Sequence, residues 1–242
     1  MSTRVARPPP RRLAGMRQSR SRRQPGGTAT WNDRHISLYG RIFAAGYESL
    51  LGRSERAGLA GMRAQLLAGV RGRTLELGAG TGLNLRHYPP DQVVLTLTEP
   101  EAPMAERLER RVAASRPEAN VVLAPADRLP FKDASFGSVV STLVLCTVRD
   151  QAQALAEVRR VLTGDGTLLF LEHVRSDDRR VARWQDRVQP FWEPIGHGCH
   201  CNRDTLAGIE AAGFIVKDVE HTRMPKAPVF VRPLIVGHAQ LD

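Results

Sequence analysis

Three glycines at alternate positions, Gly78, Gly80 and Gly82, follow directly on Leu75-Glu76-Leu77. An apolar strand that empties into a turn without side chains lets backbone come close to a ligand. Free N–H groups there suit a nucleotide. The spacing discriminates between nucleotides. A dinucleotide fingerprint needs its third glycine three residues after the second; this chain has Leu83 there, and the glycine falls at 82. That disfavours an NAD-dependent oxidoreductase. The next acid at a strand end is Glu99, which closes the apolar run 93–98 and precedes Pro100. Its carboxylate can accept both hydroxyls of a ribose, the alternative being a surface glutamate that caps the following helix.

Further along stand Asp127, His173, His197 and three cysteines, Cys146, Cys199 and Cys201. Asp127 suits a ligand contact or a turn in which it bonds its own backbone. Cys146 is more simply a small buried hydrophobe than a nucleophile. His197, Cys199, His200 and Cys201 are all ligand types, but structural zinc draws on separated pairs. Four candidates within five residues converge poorly on one ion, so no metal is expected.

The elements that must position these residues alternate between strand and helix. Strands are predicted to end at 77 and 99, over 120–123 and 135–146, and over 167–174. The glycine turn is expected to open a helix, and helices are predicted over 104–114 and 151–162, the latter stopped by Thr163-Gly164-Asp165-Gly166. This alternation argues a doubly wound, mostly parallel α/β sheet of Rossmann-like form. Ligands to such sheets bind at the carboxyl ends of the strands, which brings Thr142 to Cys146 to the site. The last third reads as a helix over 180–191, a loop over 193–205, and a helix over 205–212 capped by Asn202 or Asp204. Strands over 214–220 and 229–237 then make a terminal antiparallel pair. Before the first strand, helical patterns over 35–51 and from Ser54 to about 70, separated by Gly52, form an N-terminal cap. Its Tyr39 and Tyr47 face either an acceptor or simply the core.

The 242 residues suffice for one domain with a full core, and the expected division is a tail over 1–30, a cap over 31–70 and a core over 71–242. The formal charge of +10 is uneven: the first thirty residues hold eight arginines and no acid, leaving +2 for the rest. The basicity thus belongs to a tail rich in Pro and Gly, suited to disorder and to weak contact with anionic membranes, and no nucleic acid is expected for the core. The uncharged stretch 134–148 is shorter than the ~20 residues of a spanning helix. Three cysteines make no disulfide framework, so a cytoplasmic setting is expected.

The order and spacing of Glu76-x-Gly78-x-Gly80-x-Gly82, Glu99, Ala126-Asp127 and the run 157–162 resemble the class I S-adenosylmethionine-dependent methyltransferases over residues 70–240. Three stretches are most similar to the alkyl thiol methyltransferase-like proteins: Thr142-Leu143-Val144-Leu145-Cys146, Glu172-His173-Val174, and Gly196-His197-Gly198-Cys199 leading to Arg203-Asp204-Thr205. His197 stands where those proteins carry an acid, and an arginine-rich tail replaces their hydrophobic anchoring segment. The resemblance implies S-adenosyl-L-methionine as cofactor. It would be held by Glu76, Gly78, Ala79, Gly80, Gly82, Asn84, Glu99, Pro100, Ala126, Asp127, Arg128, Thr142 and Leu143, with Asp127 on the adenine amine. The implied acceptor is a small molecule, a thiol or lipid-like nucleophile, near Tyr39, Tyr47, Cys146, Cys199 and Arg203. His173 and His197 are the candidates to favour its deprotonation. Methylation of a lipid amine, a quinone precursor or RNA stands as the alternative, as does a protein that binds the cofactor without catalysis. A monomer or dimer is expected.

Overall fold

The computed structural model describes residues 51–242, together with Gly46 and Ser49. Tyr39, Tyr47, the arginine-rich segment and most of the first predicted helix lie outside the described residues. The strands are β1 (Gly72–Leu77), β2 (Val93–Glu99), β3 (Asn120–Leu123), β4 (Phe136–Thr142), β5 (Leu162–His173), β6 (Phe214–Arg223) and β7 (Pro233–Leu241). The helices are α1 (Ala60–Leu67), α2 (Ala102–Ser115), α3 (Gln151–Val161), α4 (Arg179–Ile195) and α5 (Thr205–Ala211). The strands form one sheet in the order β3-β2-β1-β4-β5-β7-β6. β1 to β5 pair in parallel, and β7 runs antiparallel to both β5 and β6. This is the doubly wound fold expected, with the terminal antiparallel pair.

The period-two alternation of the central strands creates a core on each face. Leu75, Leu77, Val139, Leu168 and Phe170 pack with Leu155 and Val158 of α3 and Ile209 of α5. Leu95, Leu97 and Val140 pack instead with Leu67 of α1 and Leu108 and Val112 of α2. A third cluster, at the end of the sheet, joins Leu59, Cys146, Leu171, Cys199, Cys201 and Leu234, with Trp192 of α4 against it.

Several local expectations are corrected. The glycine turn leads to no α-helix, only to a 3₁₀ turn at Leu85–His87. Pro89-Pro90 follows after Tyr88, which is already extended, and a proline removes an N–H and disfavours helical geometry before it. Gly52 is not a break: residues 51–54 are helical and Ser54 makes no side-chain cap. The distortion falls at Gly58, whose φ of 140° lies within a π turn, Glu55–Leu59. Thr163-Gly164-Asp165-Gly166 does not stop α3, which ends with Leu162 already extended. Leu162 faces Phe136 and Thr167 faces Ser138, so residues 163–166 bulge out of β5 opposite Gly137. Asp204, not Asn202, caps α5, its Oδ1 accepting from Ala207 N at 3.0 Å. Finally, Val229–Val231 is a 3₁₀ turn and β7 starts at Pro233. Among the described residues no helix is long and apolar enough to cross a membrane.

Candidate active site

A cavity of about 400 Å³ opens at the carboxyl ends of the parallel strands. Its walls come from the glycine turn after β1 (Gly78, Gly80), the end of β2 (Glu99, Pro100, Glu101) and the segment after β3 (Ala126, Asp127). The loop after β4 (Leu143, Val144, Cys146), His173 at the end of β5 and the loop after α4 (His197, Cys199) complete them.

The glycine turn is shaped by close approach. Gly78 has φ +48°, and a Cβ there would stand 2.9 Å from a methyl of Val144. Gly82 has φ +84°, and a Cβ there would meet Leu85 at 2.7 Å. Both positions exclude side chains twice over, by dihedral and by space. The turn is bound to β2 through Ala79 N donating to Thr98 O at 2.8 Å. Gly80 N donates to Glu99 Oε2 at 2.9 Å, and Glu101 N to Glu99 Oε1 at 3.0 Å. Each oxygen of Glu99 therefore holds one backbone donor and keeps a second lone pair. Burial raises the pKa of this carboxyl and the two backbone N–H groups oppose the rise.

Beneath the turn lies a buried polar network. Arg63 of α1 donates through Nε to Glu55 at 3.0 Å, and through Nη1 to Asn84 Oδ1 and Thr142 Oγ1, both at 2.9 Å. Asn84 Nδ2 donates to Glu76 Oε1 at 3.0 Å and Tyr88 OH to Glu76 Oε2 at 2.8 Å. Glu76, Asn84 and Thr142 are thus brought together below the cavity, not in its wall. Arg63 and Tyr88 are additions to the sequence reading. The readable signal for Arg63 is its place on the apolar stripe Leu59–Arg63–Leu67, where a charge requires buried partners.

Burial pushes the Glu76 carboxyl up from 4.5 to about 7, against the hydrogen bonds from Tyr88 and Asn84 and the charge of Arg63. The folded state therefore holds a proton that the unfolded chain has lost. That stabilisation, ~3 kcal/mol at most, is full below pH 4.5 and is lost as pH rises through about 7. Glu76→Gln is expected to cancel this slope. Its stability relative to the parent should rise between pH 5 and 8 in urea unfolding, and a constant difference would refute the assignment.

A second carboxylate organises the loop after β4. Glu172 is fully buried. Its Oε1 accepts from Ser141 Oγ at 2.6 Å, Val144 N at 3.0 Å and Leu145 N at 3.1 Å, and its Oε2 from Cys146 N at 3.2 Å. Burial raises its pKa against these four donors. Leu143, at φ 60°, makes the reversal that starts the loop. The loop presents Cys146 to His173, whose Nδ1 lies 3.7 Å from Cys146 Sγ and 3.6 Å from Cys199 Sγ. A hydrogen bond with Cys146 holds the Cys199 thiol well below its ordinary range, against burial and with help from His173. The Cys146 thiol is correspondingly pushed up, with its own burial adding to the rise.

His197 contacts Glu101 Oε1 through Nε2 at 2.6 Å, and Glu101 Oε2 is buried without a hydrogen-bond partner. Arg203 is committed to the carbonyls of Leu145 and Val148 at 2.7 and 2.8 Å, so it braces the loop from behind. Arg203, Arg128, Ala79 and Gly82 are not among the residues lining the cavity. An acidic, hydroxyl-accepting wall facing a sulfur-bearing one suits a ligand with a ribose and a positive centre. The turn carries no helix N-terminus to receive a pyrophosphate.

The methyltransferase domain family matches residues 75–170. Thiol S-methyltransferase TMT1B of Rattus norvegicus is 38% identical over 169 residues, covering 68% of this chain and 69% of that protein. Thiol S-methyltransferase TMT1A of Homo sapiens is 35% identical over 181 residues, 72% and 74% of the two chains. Among solved structures, a SAM-dependent methyltransferase of Thermotoga maritima described as a possible histamine N-methyltransferase superposes with a TM-score of 0.63 at 22% identity. The match covers 86% of this chain and all of the other.

Proposed function

This chain belongs to the class I S-adenosylmethionine-dependent methyltransferases, close to the thiol S-methyltransferases, and on that premise we propose that its methyl acceptor is a small thiol. The likeness to curated thiol methyltransferases over more than two thirds of both chains carries this reading. The cavity is compatible with it, since one wall bears two thiols and an imidazole.

When bound, S-adenosylmethionine supplies a methyl group on a cationic sulfur, which is a good leaving group. The chain's own residues have to align the acceptor and exclude water, and alignment alone can supply roughly 7–11 kcal/mol of such a barrier. Glu99 is assigned the ribose hydroxyls through its two remaining lone pairs, and Asp127 the adenine amine. Gly78 and Gly80 let the backbone close on the ligand. Leu143 and Val144 form an apolar wall that keeps water from the reacting atoms. A thiol reacts as its thiolate. His197, held by Glu101, is the group that accepts the acceptor's proton, and His173, beside the Cys146 and Cys199 sulfurs, is the second group placed to favour its deprotonation.

The test is radiolabelled methyl transfer to a panel of small thiols, lipid amines, quinone precursors and RNA. Label is expected in the thiols. Transfer confined to any other class would replace the thiol reading, and failure to bind S-adenosylmethionine would remove the cofactor assignments.

A further inference from the structure

Cys146, His173 and Cys199 come from three separate elements, yet their ligand atoms lie within 4.8 Å of one another. The two S···N separations, 3.6 and 3.7 Å, have a geometric meaning. A tetrahedral zinc ion with Zn–S near 2.3 Å and Zn–N near 2.0–2.1 Å sets its sulfur and nitrogen ligands about 3.6 Å apart. We infer that these three residues form a zinc site whose open fourth position faces the cavity, where it takes the acceptor thiol.

Four observations carry this assignment. All three residues are buried and all three line the cavity, so an ion between them has a side open to ligand. Two sulfurs and an imidazole are a soft donor set, suited to zinc and not to magnesium or calcium. Three protein ligands with one open position mark catalytic zinc; four closed ligands mark structural zinc. Two thiolates and a neutral imidazole also balance the charge of a divalent ion, which a buried site requires.

The neighbouring groups fix the ligands in place. His173 Nε2 lies 3.3 Å from Met224 Sδ; a proton held there leaves the Nδ1 lone pair facing the two sulfurs. Cys146 is held on Glu172 through its N–H and by His200 N donating to its carbonyl at 2.8 Å. Gln189 Nε2 donates to the Cys199 carbonyl at 3.1 Å. Of the sequence-adjacent quartet only Cys199 joins the cluster. His200 Nδ1 and Cys201 Sγ lie against Gln189 at 3.2 and 3.5 Å, and His197 is paired with Glu101.

The inference rests on the thiol reading for the occupant of the fourth position. On coordination the S–H bond of the acceptor breaks, its proton leaves to His197 or solvent, and a sulfur–zinc bond forms in place of bound water. Nothing is oxidised or reduced. The new S–CH₃ bond uses a sulfur lone pair, while the electron pair of the broken bond stays on the donor sulfur. The product thioether is neutral and a weak ligand, so it leaves the metal.

The test strips the full chain with a chelator and titrates it with cobalt(II), a spectroscopic stand-in for zinc. Stoichiometric uptake with thiolate-to-cobalt charge-transfer and tetrahedral bands, competed by zinc, is expected. Cys146→Ser, Cys199→Ser and His173→Ala should each weaken uptake by ~100-fold or more, beyond the ~10–100-fold typical when a partner of a ligand is lost. Cys201→Ser should keep the bands, and circular dichroism confirms that each variant is folded. A small thiol should shift the bands and its methyl thioether should not. Failure of the reduced, folded parent chain to take up cobalt overturns the inference, as does a Cys201→Ser variant that loses the bands as fully as the other three. Undiminished thiol methylation by the stripped enzyme overturns it while leaving the thiol acceptor intact. Cobalt bands that depend on the three residues, in a protein that methylates no thiol, support the metal site and sink the acceptor reading instead.

Discussion

Replacing Glu172 with alanine is expected to destabilise the protein by on the order of 4 kcal/mol, near the top of what single substitutions do. The side chain is an acceptor for three successive backbone N–H groups, those of Val144, Leu145 and Cys146, and for the Ser141 hydroxyl. Each buried donor left without an acceptor costs about 1–3 kcal/mol, offset in part by relief of a buried charge and by water entering the space. Glu172→Gln separates these contributions. An amide oxygen in the Oε1 position retains the Ser141, Val144 and Leu145 bonds, while its NH₂ opposes Cys146 N, so a loss of about 1–2 kcal/mol is expected. Urea unfolding of both variants measures the pair. An alanine variant within 1 kcal/mol of the parent would show that the loop holds its shape without the carboxylate.

Glu172 also marks the limit of what is legible in the sequence. The alternation of strand and helix, the glycine turn, the acid that ends β2 and Asp127 in the segment after β3 are legible because each is local: a periodicity, a glycine spacing, a charge after an apolar run. Glu99 meeting Gly80 follows once β1 and β2 are neighbours. Contacts made by the folding back of distant segments were not. Arg63 reaches Thr142 across 79 positions, and His173 meets Cys146 and Cys199 across 27 and 26. No periodicity encodes such convergence. Other misses were readable. Pro89-Pro90 signals that no helix follows the turn, and Pro233 signals where β7 begins, because an interior strand tolerates proline at its first residue or at a bulge. The bulge at residues 163–166 reads in the sequence as a turn because glycines serve both, and only the register with β4 distinguishes them.

Glu99→Ala is expected to weaken S-adenosylmethionine binding by ~100-fold or more. Two hydroxyls accepted by one carboxylate form two charge-assisted hydrogen bonds, worth about 1.5–3 kcal/mol each. Glutamine is not a conservative replacement here. Both oxygens of Glu99 already accept from backbone, Gly80 N on one and Glu101 N on the other, so whichever position takes the NH₂ sets donor against donor. Glu99→Gln should therefore lose at least ~10-fold. Calorimetric titration gives the affinities, but loss of the carboxylate also releases the glycine turn, which would weaken any ligand. A cofactor analogue lacking ribose hydroxyls separates the two effects. Direct contact requires the parent protein to lose affinity for the analogue and the alanine variant to bind both forms nearly alike. Equal discrimination by both proteins would mean that Glu99 acts only through the turn. Because burial raises the Glu99 pKa and only the ionised form serves all four donors, the parent's affinity should also fall on acidification earlier than an ordinary carboxylate would allow. The alanine variant should lack that component of the pH profile.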